Sequence, residues 1–164
     1  MIHIVKAKVN DLKAITEIAH KTWPLTYGEI LSPAQLEYML NAFYSENALL
    51  ANIENGHEFI LAKENDICLG FASFEHHHKN GNTTKIHKIY ILPETQGKGI
   101  GKLLIDFITQ LAQENQSQIL LLNVNRFNKA LTFYQKLGFE IVEEIDIELE
   151  YGYLMEDYVM EKKI

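Results

Sequence analysis

A chain of 164 residues with 47% hydrophobic and 23% charged side chains has the balance of one globular domain spanning 1–164, too short for two cores and too apolar for disorder. Its formal charge of −7, from 15 basic and 22 acidic residues, speaks against a nucleic-acid partner, whose phosphates call for clustered Lys and Arg. The single cysteine, Cys68, excludes an internal disulfide, no apolar run approaches the roughly 18 residues of a membrane span, and the opening MIHIVKAK lacks a signal-peptide layout, so the expected location is the cytoplasm, with no membrane partner.

In chain order, HIVKA reads as a strand. Asn10 then offers an N-cap to a helix over DLKAITEIAHKTW, where Leu12, Ile15, Ile18 and Ala19 share one face. WPLTYGEIL reads as a connector holding Trp23 and Tyr27, and Ser32 to Gln35 (SPAQ) is a capping box opening a second helix through Leu36, Met39, Leu40 and Phe43. EFILAK and ICLGFASFE, joined at Glu64 to Asp66, and KIHKIYIL, entered through an Asn80-Gly81 turn, predict an antiparallel meander. Past the glycine-rich ETQGKGIG, a helix carries Ile100, Leu103, Leu104, Phe107, Ile108, Leu111 and Ala112 at i, i+3, i+4, i+7 spacing. QILLLNVN predicts a strand buried on both faces, and RFNKALTFYQKLGF a helix ended by Gly138. Ile141, Ile145, Ile147 and Leu149 alternate with Glu144, Asp146, Glu148 and Glu150 in a strand with one wet face, and YLMEDYVMEK closes the chain. The order β, α, α, β, β, β, α, β, α, β, β predicts a mixed α/β (α+β) domain, largely antiparallel in its first half, with a strand-helix-strand crossover after the glycine loop.

Gly97, Gly99 and Gly101 fall at alternate positions where a helix begins. Bare backbone there lets NH groups approach a ligand, and the first helical turn leaves its NH groups unpaired with a partial positive charge, so the segment is suited to hold phosphate. A nucleotide P-loop fails on Leu103, which stands where a magnesium-binding hydroxyl belongs. A dinucleotide fingerprint fails on spacing, G-x-G-x-G in place of G-x-G-x-x-G, and on the antiparallel strands before it.

Gln96-Gly97-Lys98-Gly99-Ile100-Gly101, after a strand ending Tyr90-Ile91-Leu92-Pro93, resembles the Q/R-x-x-G-x-G/A loop of the GNAT acetyltransferase superfamily. Asn125, Asn128, Lys129, Ala130, Phe133-Tyr134 and Leu137-Gly138-Phe139 are similar to a second motif of that family, in the same order along the chain. The resemblance implies the GNAT fold, a mostly antiparallel sheet of about seven strands splayed at an acetyl-CoA site. It implies that the NH groups of Gln96 to Gly101, continuing into Lys102, hold the pyrophosphate of acetyl-CoA, and that Ile89, Tyr90 and Ile91 offer backbone to the pantetheine arm. Asn128 matches a position that hydrogen-bonds this arm; Asn125 either does the same or caps the helix beginning near Phe127. Tyr134 matches the general acid for the leaving thiolate, although it also sits on the apolar face of its helix with Phe127, Ala130 and Leu131.

The base for the amine is open. Lys85, His87, Ile89 and Ile91 are expected on one strand face with no carboxylate among them, which leaves His87, with Tyr27, Glu29 and a held water as rivals. His76-His77-His78 reads as a solvated hairpin tip and not a metal site, since neighbours in a strand point oppositely and no carboxylate at ligand spacing completes a set. The acceptor is expected between the connector, with Trp23, Tyr27 and Glu29, and the C-terminal hairpin, with Tyr151, Tyr153 and a segment from Glu140 to Glu161 holding nine acidic residues and no Lys or Arg. Aromatic and acidic walls suit an ammonium group, as in small polyamine-acetylating members of the superfamily. The reading is thus an acetyl-CoA-dependent N-acetyltransferase acting on a small-molecule or peptide amine, in a family where homodimers are common. A non-catalytic acyl-CoA sensor is the alternative, and it would have no use for Tyr134.

Overall fold

The computed structural model describes residues 1–164. Seven strands form one sheet in the order β1-β2-β3-β4-β5-β7-β6, with β1 His3–Lys6, β2 Glu58–Glu64, β3 Ile67–Glu75, β4 Thr83–Ile91, β5 Ile119–Asn125, β6 Glu140–Glu148 and β7 Leu154–Lys163. Every neighbouring pair is antiparallel except β4 and β5. The helices are α1 Leu12–Tyr27, α2 Pro33–Tyr44, α3 Glu46–Glu54, α4 Ile100–Glu114 and α5 Ala130–Lys136, none long and apolar enough to cross a membrane. This is the mixed, mostly antiparallel GNAT architecture that the motifs imply.

The sheet separates two apolar layers. Leu104, Ile105, Ile108 and Ala112 of α4 pack with Ile60, Ala72, Phe74, Ile86, Leu122 and Phe139 on one side; Ile15, Trp23, Met39, Tyr44 and Leu49 of α1 to α3 pack with Phe59, Leu61 and Phe71 on the other. At 20–33 cal/mol per Å² of apolar surface removed from water, each fully buried Ile, Leu or Phe contributes roughly 1.5–3 kcal/mol.

Several elements depart from the sequence reading. α1 begins after a 3-10 turn at Val9–Asp11 in place of an Asn10 cap, and runs through Trp23 and an exposed Pro24 to Tyr27. The proposed connector is therefore mostly helix: an interior proline costs roughly 3 kcal/mol, and burial of Trp23 and Tyr27 on either side of Pro24 offsets it. The sequence pattern does not predict α3. It is short, buries only Leu49, and its signal is Ser45, whose Oγ accepts from Ala48 N at 3.2 Å. Ser32 caps α2 by accepting from Gln35 N at 3.1 Å, but the Gln35 side chain donates to the Leu154 carbonyl at 2.8 Å instead of closing the box.

On α4 the buried stripe takes Ile105 and leaves Leu103 42% exposed. At the hairpin before β4, Asn80 takes φ +60 while Gly81 is extended, so no Asn-Gly turn of the expected kind forms. β5 buries Leu120, Leu122 and Val124 fully and its other face only in part. β6 is an edge strand, wet on both faces at its start, where Ile141 and Val142 are exposed. α5 starts at Ala130 and ends as expected at Gly138, whose φ of +97 lets Phe139 N reach the Tyr134 carbonyl at 3.1 Å.

Candidate functional site

The only parallel pair in the sheet is also the one that fails to stay together. β4 and β5 are in register from Thr83 with Ile119 to Ile86 with Leu122, and no further. Beyond that point β5 continues to pair with β7 through Asn125 and Asp157, while β4 continues with β3 through Ile91 and Gly70. The facing edges of β4 and β5 therefore part from His87 onward, and the gap joins a cavity of about 710 Å³ on one side to one of about 260 Å³ on the other. Tyr27, Ile86, His87, Lys88, Tyr90 and Asn123 line both.

A bulge prepares this parting. Ser73 pairs with Lys88 and Phe74 with Ile86, which leaves His87 as an extra residue in β4. It inverts the alternation. Ile86, Ile89 and Ile91 face the α4 layer, whereas Tyr90 and Lys88 face α1 and α2, so the expected shared face of Lys85, His87, Ile89 and Ile91 does not exist.

The larger cavity is walled by Ile89, Ile91, Gln96, Gly97, Gly99, Ile100, Gly101, Lys102, Asn128 and Tyr134. None of the NH groups from Gly97 to Lys102 has a backbone acceptor, and the first helical bond is Leu103 N to the Gly99 carbonyl at 3.1 Å. Gly97 and Gly99 adopt φ of +85 and +75, and at Gly101 a Cβ would lie 2.9 Å from the Phe133 ring and 3.1 Å from Ile91 Cδ1. These glycines thus serve two needs, a left-handed backbone that aims the amides and a close approach that seats α4. A chain of unpaired amides at a helix mouth fits the diphosphate of a coenzyme A thioester. Lys98 is exposed and off the cavity wall, and Lys102 Nζ pairs with Asp106 at 2.6 Å.

Gly99→Val tests the loop. Nothing lies within 4 Å of a Cβ at Gly99, so a steric clash is not the cause of the expected loss. The left-handed φ is, at roughly 1–3 kcal/mol for a residue held there. The expected result is a Kd for acetyl-CoA raised about tenfold by calorimetry; an unchanged Kd would separate the loop from binding.

Tyr134, 7% exposed, reaches the larger cavity from α5, and burial, with Tyr27 nearby, pushes its hydroxyl well above the ordinary range, so it keeps its proton. Asn128 is engaged at both ends: Oδ1 accepts from Ala130 N at 2.9 Å and Nδ2 donates to Tyr27 Oη at 3.4 Å. It closes the turn that leads into α5, whose N-cap position, Lys129, makes no side-chain cap, while the Oδ1 of Asn125, which sequence offered as a cap near Phe127, accepts from Phe127 N at 2.9 Å in the turn before it. Asn125 lines the smaller cavity. The side chain of Tyr90 turns toward α1, its Oη 2.9 Å from that of Tyr27, so only its backbone borders the gap.

The smaller cavity lies between α1 and α2 on one side and the β6–β7 hairpin on the other, with Trp23, Tyr27, Tyr44 and Tyr90 as walls. Trp23 packs 4.5 Å from Tyr27 and 5.3 Å from Tyr44 by ring centroids. Lys88 lies 5.2 Å above Tyr44 and donates to Asn52 Oδ1 at 3.1 Å, and burial lowers its pKa to about 8. Glu29 is exposed on the rim of the larger cavity. Tyr153 borders neither cavity; it stacks on Tyr38 at 5.6 Å. The acidic face of the hairpin is partly neutralised, since Arg126 pairs with Glu144 at 3.1 Å, with Asp146, and with Glu156 at 3.9 Å.

His87 has another occupation. Its Nε2 lies 2.9 Å from Glu75 Oε1, its ring stacks on His57, and burial lowers its pKa to about 4. An imidazole so tied is poorly matched to an ammonium proton. Sequence missed Asp157, 4% exposed at the end of the β5–β7 pairing and on the wall of the smaller cavity. Burial raises its pKa, opposed by the Asn123 side chain and the charges of Arg126 and Lys85.

A model of the acetyltransferase (GNAT) domain matches residues 55–141. The chain is similar to spermidine N(1)-acetyltransferase of Thermoplasma acidophilum, 29% identical over 99% of this chain and 97% of that protein. It is also similar to an uncharacterized N-acetyltransferase, YuaI, of Bacillus subtilis, 27% identical over 91% of this chain and 86% of that one. Among solved structures, the PaiA N-acetyltransferase from Thermoplasma acidophilum in complex with coenzyme A superposes with a TM-score of 0.84 at 26% identity, covering 100% of this chain and 99% of that chain.

Proposed function

The chain belongs to the GNAT acetyltransferase family and uses acetyl-CoA, and from that premise we propose that it acetylates a primary amine of a small polycation of the polyamine class. The observation that carries the reading is the pair of cavities meeting at the unpaired stretch of β4, one lined by free amides and Tyr134, the other by four aromatic rings and the buried Asp157. The 29% identity to a spermidine N(1)-acetyltransferase supports the same substrate class.

Acetyl-CoA supplies a thioester whose carbonyl carbon accepts an amine lone pair and whose sulfur leaves. The amides of Gly97 to Lys102 hold the diphosphate, and the backbone edge of β4 at Ile89 and Ile91 lies along the pantetheine arm. As the amide forms, the attacking nitrogen sheds its proton to solvent water in the gap, and Tyr134 gives a hydrogen bond or its proton to the departing sulfur, regaining a proton given up from the same water, a task that asks for a group protonated at neutral pH. In the smaller cavity Trp23, Tyr27, Tyr44 and Tyr90 present ring faces to an alkylammonium chain, and Asp157 accepts a hydrogen bond from its nitrogen. Asp157 thereby points the amine at the gap.

The test is a panel of amines, spermidine, spermine, a peptide N-terminus and single amino acids, assayed for thiol release from acetyl-CoA. Spermidine and spermine are expected to lead by at least tenfold in kcat/KM. Preference for the peptide or an amino acid would remove the polyamine assignment while leaving the acetyl-transfer chemistry in place.

A further inference from the structure

Three side chains far apart in sequence converge beside the bulge in β4. His57 precedes β2, Glu75 ends β3, His87 is the bulged residue, and one ligand-type atom from each lies within 4.8 Å of the other two. We propose that His57, Glu75 and His87 bind a divalent transition cation of the zinc class, and that this ion, set against the wall of the acceptor cavity, restrains the enzyme.

The spacing is already close to that of a ligand set. Glu75 Oε1 stands 2.9 Å from His87 Nε2, about half an ångström inside the ~3.4 Å edge expected between donors of a tetrahedral ion with bonds of about 2.1 Å, and it also lies 2.7 Å from His78 Nδ1. His78 steadies the carboxylate, the kind of supporting hydrogen bond that orients a metal ligand. His57 contributes the second observation: its Nδ1 is buried with no hydrogen-bond partner, an expense that a structural histidine normally avoids. Two imidazoles and one carboxylate form a borderline donor set that suits zinc and its neighbours better than calcium or magnesium, which take oxygen. His87 and Glu75 are 19% and 22% exposed, so an ion can enter and keep water in its remaining position.

Two features set the expected strength. The rings of His57 and His87 are stacked at 4.0 Å and 8°, and parallel rings aim their lone pairs side by side, so His57 must swing toward Glu75. It follows Gly56, a glycine at φ +94 with nothing within 4 Å of a would-be Cβ, where the chain has room to turn. His87 frees its Nε2 lone pair by moving that hydrogen to Nδ1, which leaves the net proton count unchanged. Lys85 and Lys88 face the cluster from β4 and oppose a cation, so affinity should be micromolar. Because His87 and Lys88 line both cavities, a bound cation narrows the amine's path and repels a polycation.

The experiment is calorimetry of zinc chloride added to the full chain after chelator treatment, without acetyl-CoA. One equivalent is expected to bind with a Kd of about 10 μM. His57→Ala and Glu75→Gln should each weaken binding at least tenfold, while His77→Ala, in the same hairpin but outside the cluster, should leave it unchanged. Absence of saturable binding overturns the proposal, as does binding that survives His57→Ala and Glu75→Gln or that is lost with His77→Ala. Should Glu75→Gln fail to fold by melting, His57→Ala decides alone. The binding readout does not depend on which amine the enzyme acetylates.

Discussion

Tyr134→Phe is expected to lower kcat about a hundredfold, the lower range for loss of a positioned acid, with the Kd for acetyl-CoA unchanged. The ring itself is structural: it packs edge-on against Phe133 at 5.3 Å and Phe139 at 5.9 Å, and phenylalanine keeps those contacts and the volume. Only the hydroxyl is lost, and it has no assigned hydrogen bond inside the protein to make its removal a folding defect. A group that acts only where charge develops on sulfur should change kcat and kcat/KM together while ground-state affinity stands. Since burial holds the hydroxyl protonated well above the ordinary range, the wild-type rate should show no alkaline decline from this residue near pH 8 or 9. Stopped-flow thiol release and calorimetry on the same preparation check both halves, and an unchanged kcat would take Tyr134 out of the acid role.

Asp157→Asn is expected to cut kcat/KM for spermidine about a hundredfold, since removing one member of a desolvated charged hydrogen bond costs 2–5 kcal/mol in comparable settings. Stability should move the other way. The folded chain binds the Asp157 proton more tightly than the unfolded chain, because burial raises this carboxyl above its ordinary value of 3.8. The associated stabilisation is full below that value and is lost as pH rises through the folded pKa, so at neutral pH the charge is a burden. Asparagine removes it, and the variant should melt at the same temperature as wild type or a few degrees higher at pH 7, the difference closing near pH 3. A variant with lower activity and lower melting temperature at pH 7 would mark Asp157 as structural; unimpaired spermidine kinetics would free it from the acceptor site.

The cofactor side of the site was legible in sequence because its chemistry is local. Gly97, Gly99 and Gly101 are specified by backbone φ and by one close approach, and Tyr134 follows Asn128 along a single turn-and-helix segment, so spacing alone brings them together. The acceptor side is assembled from elements distant in sequence. Asp157 is a mid-strand carboxylate in an acidic stretch, and nothing nearby shows that it is buried; only the β5–β7 register, with Asn125 opposite, places it at the gap. His87 owes its candidacy as base to a β4 face defined by strict alternation, and the extra residue at His87 breaks that alternation. Glu75 reaches His87 from the neighbouring strand, a pairing that spacing along the chain does not reveal. The helix that runs through Pro24 and the one that starts after Ser45 share a cause: packing against the sheet overrides local preferences for proline and short amphipathic runs.

The account rests on the parting of β4 and β5 as the passage between acyl donor and amine. The most direct measurement is a crystal structure of the protein grown with coenzyme A. The expected result is a diphosphate within hydrogen-bond distance of the amides between Gly97 and Lys102, with the thiol in the gap beside Tyr134; phosphates seated elsewhere, or a thiol directed away from that gap, would contradict it.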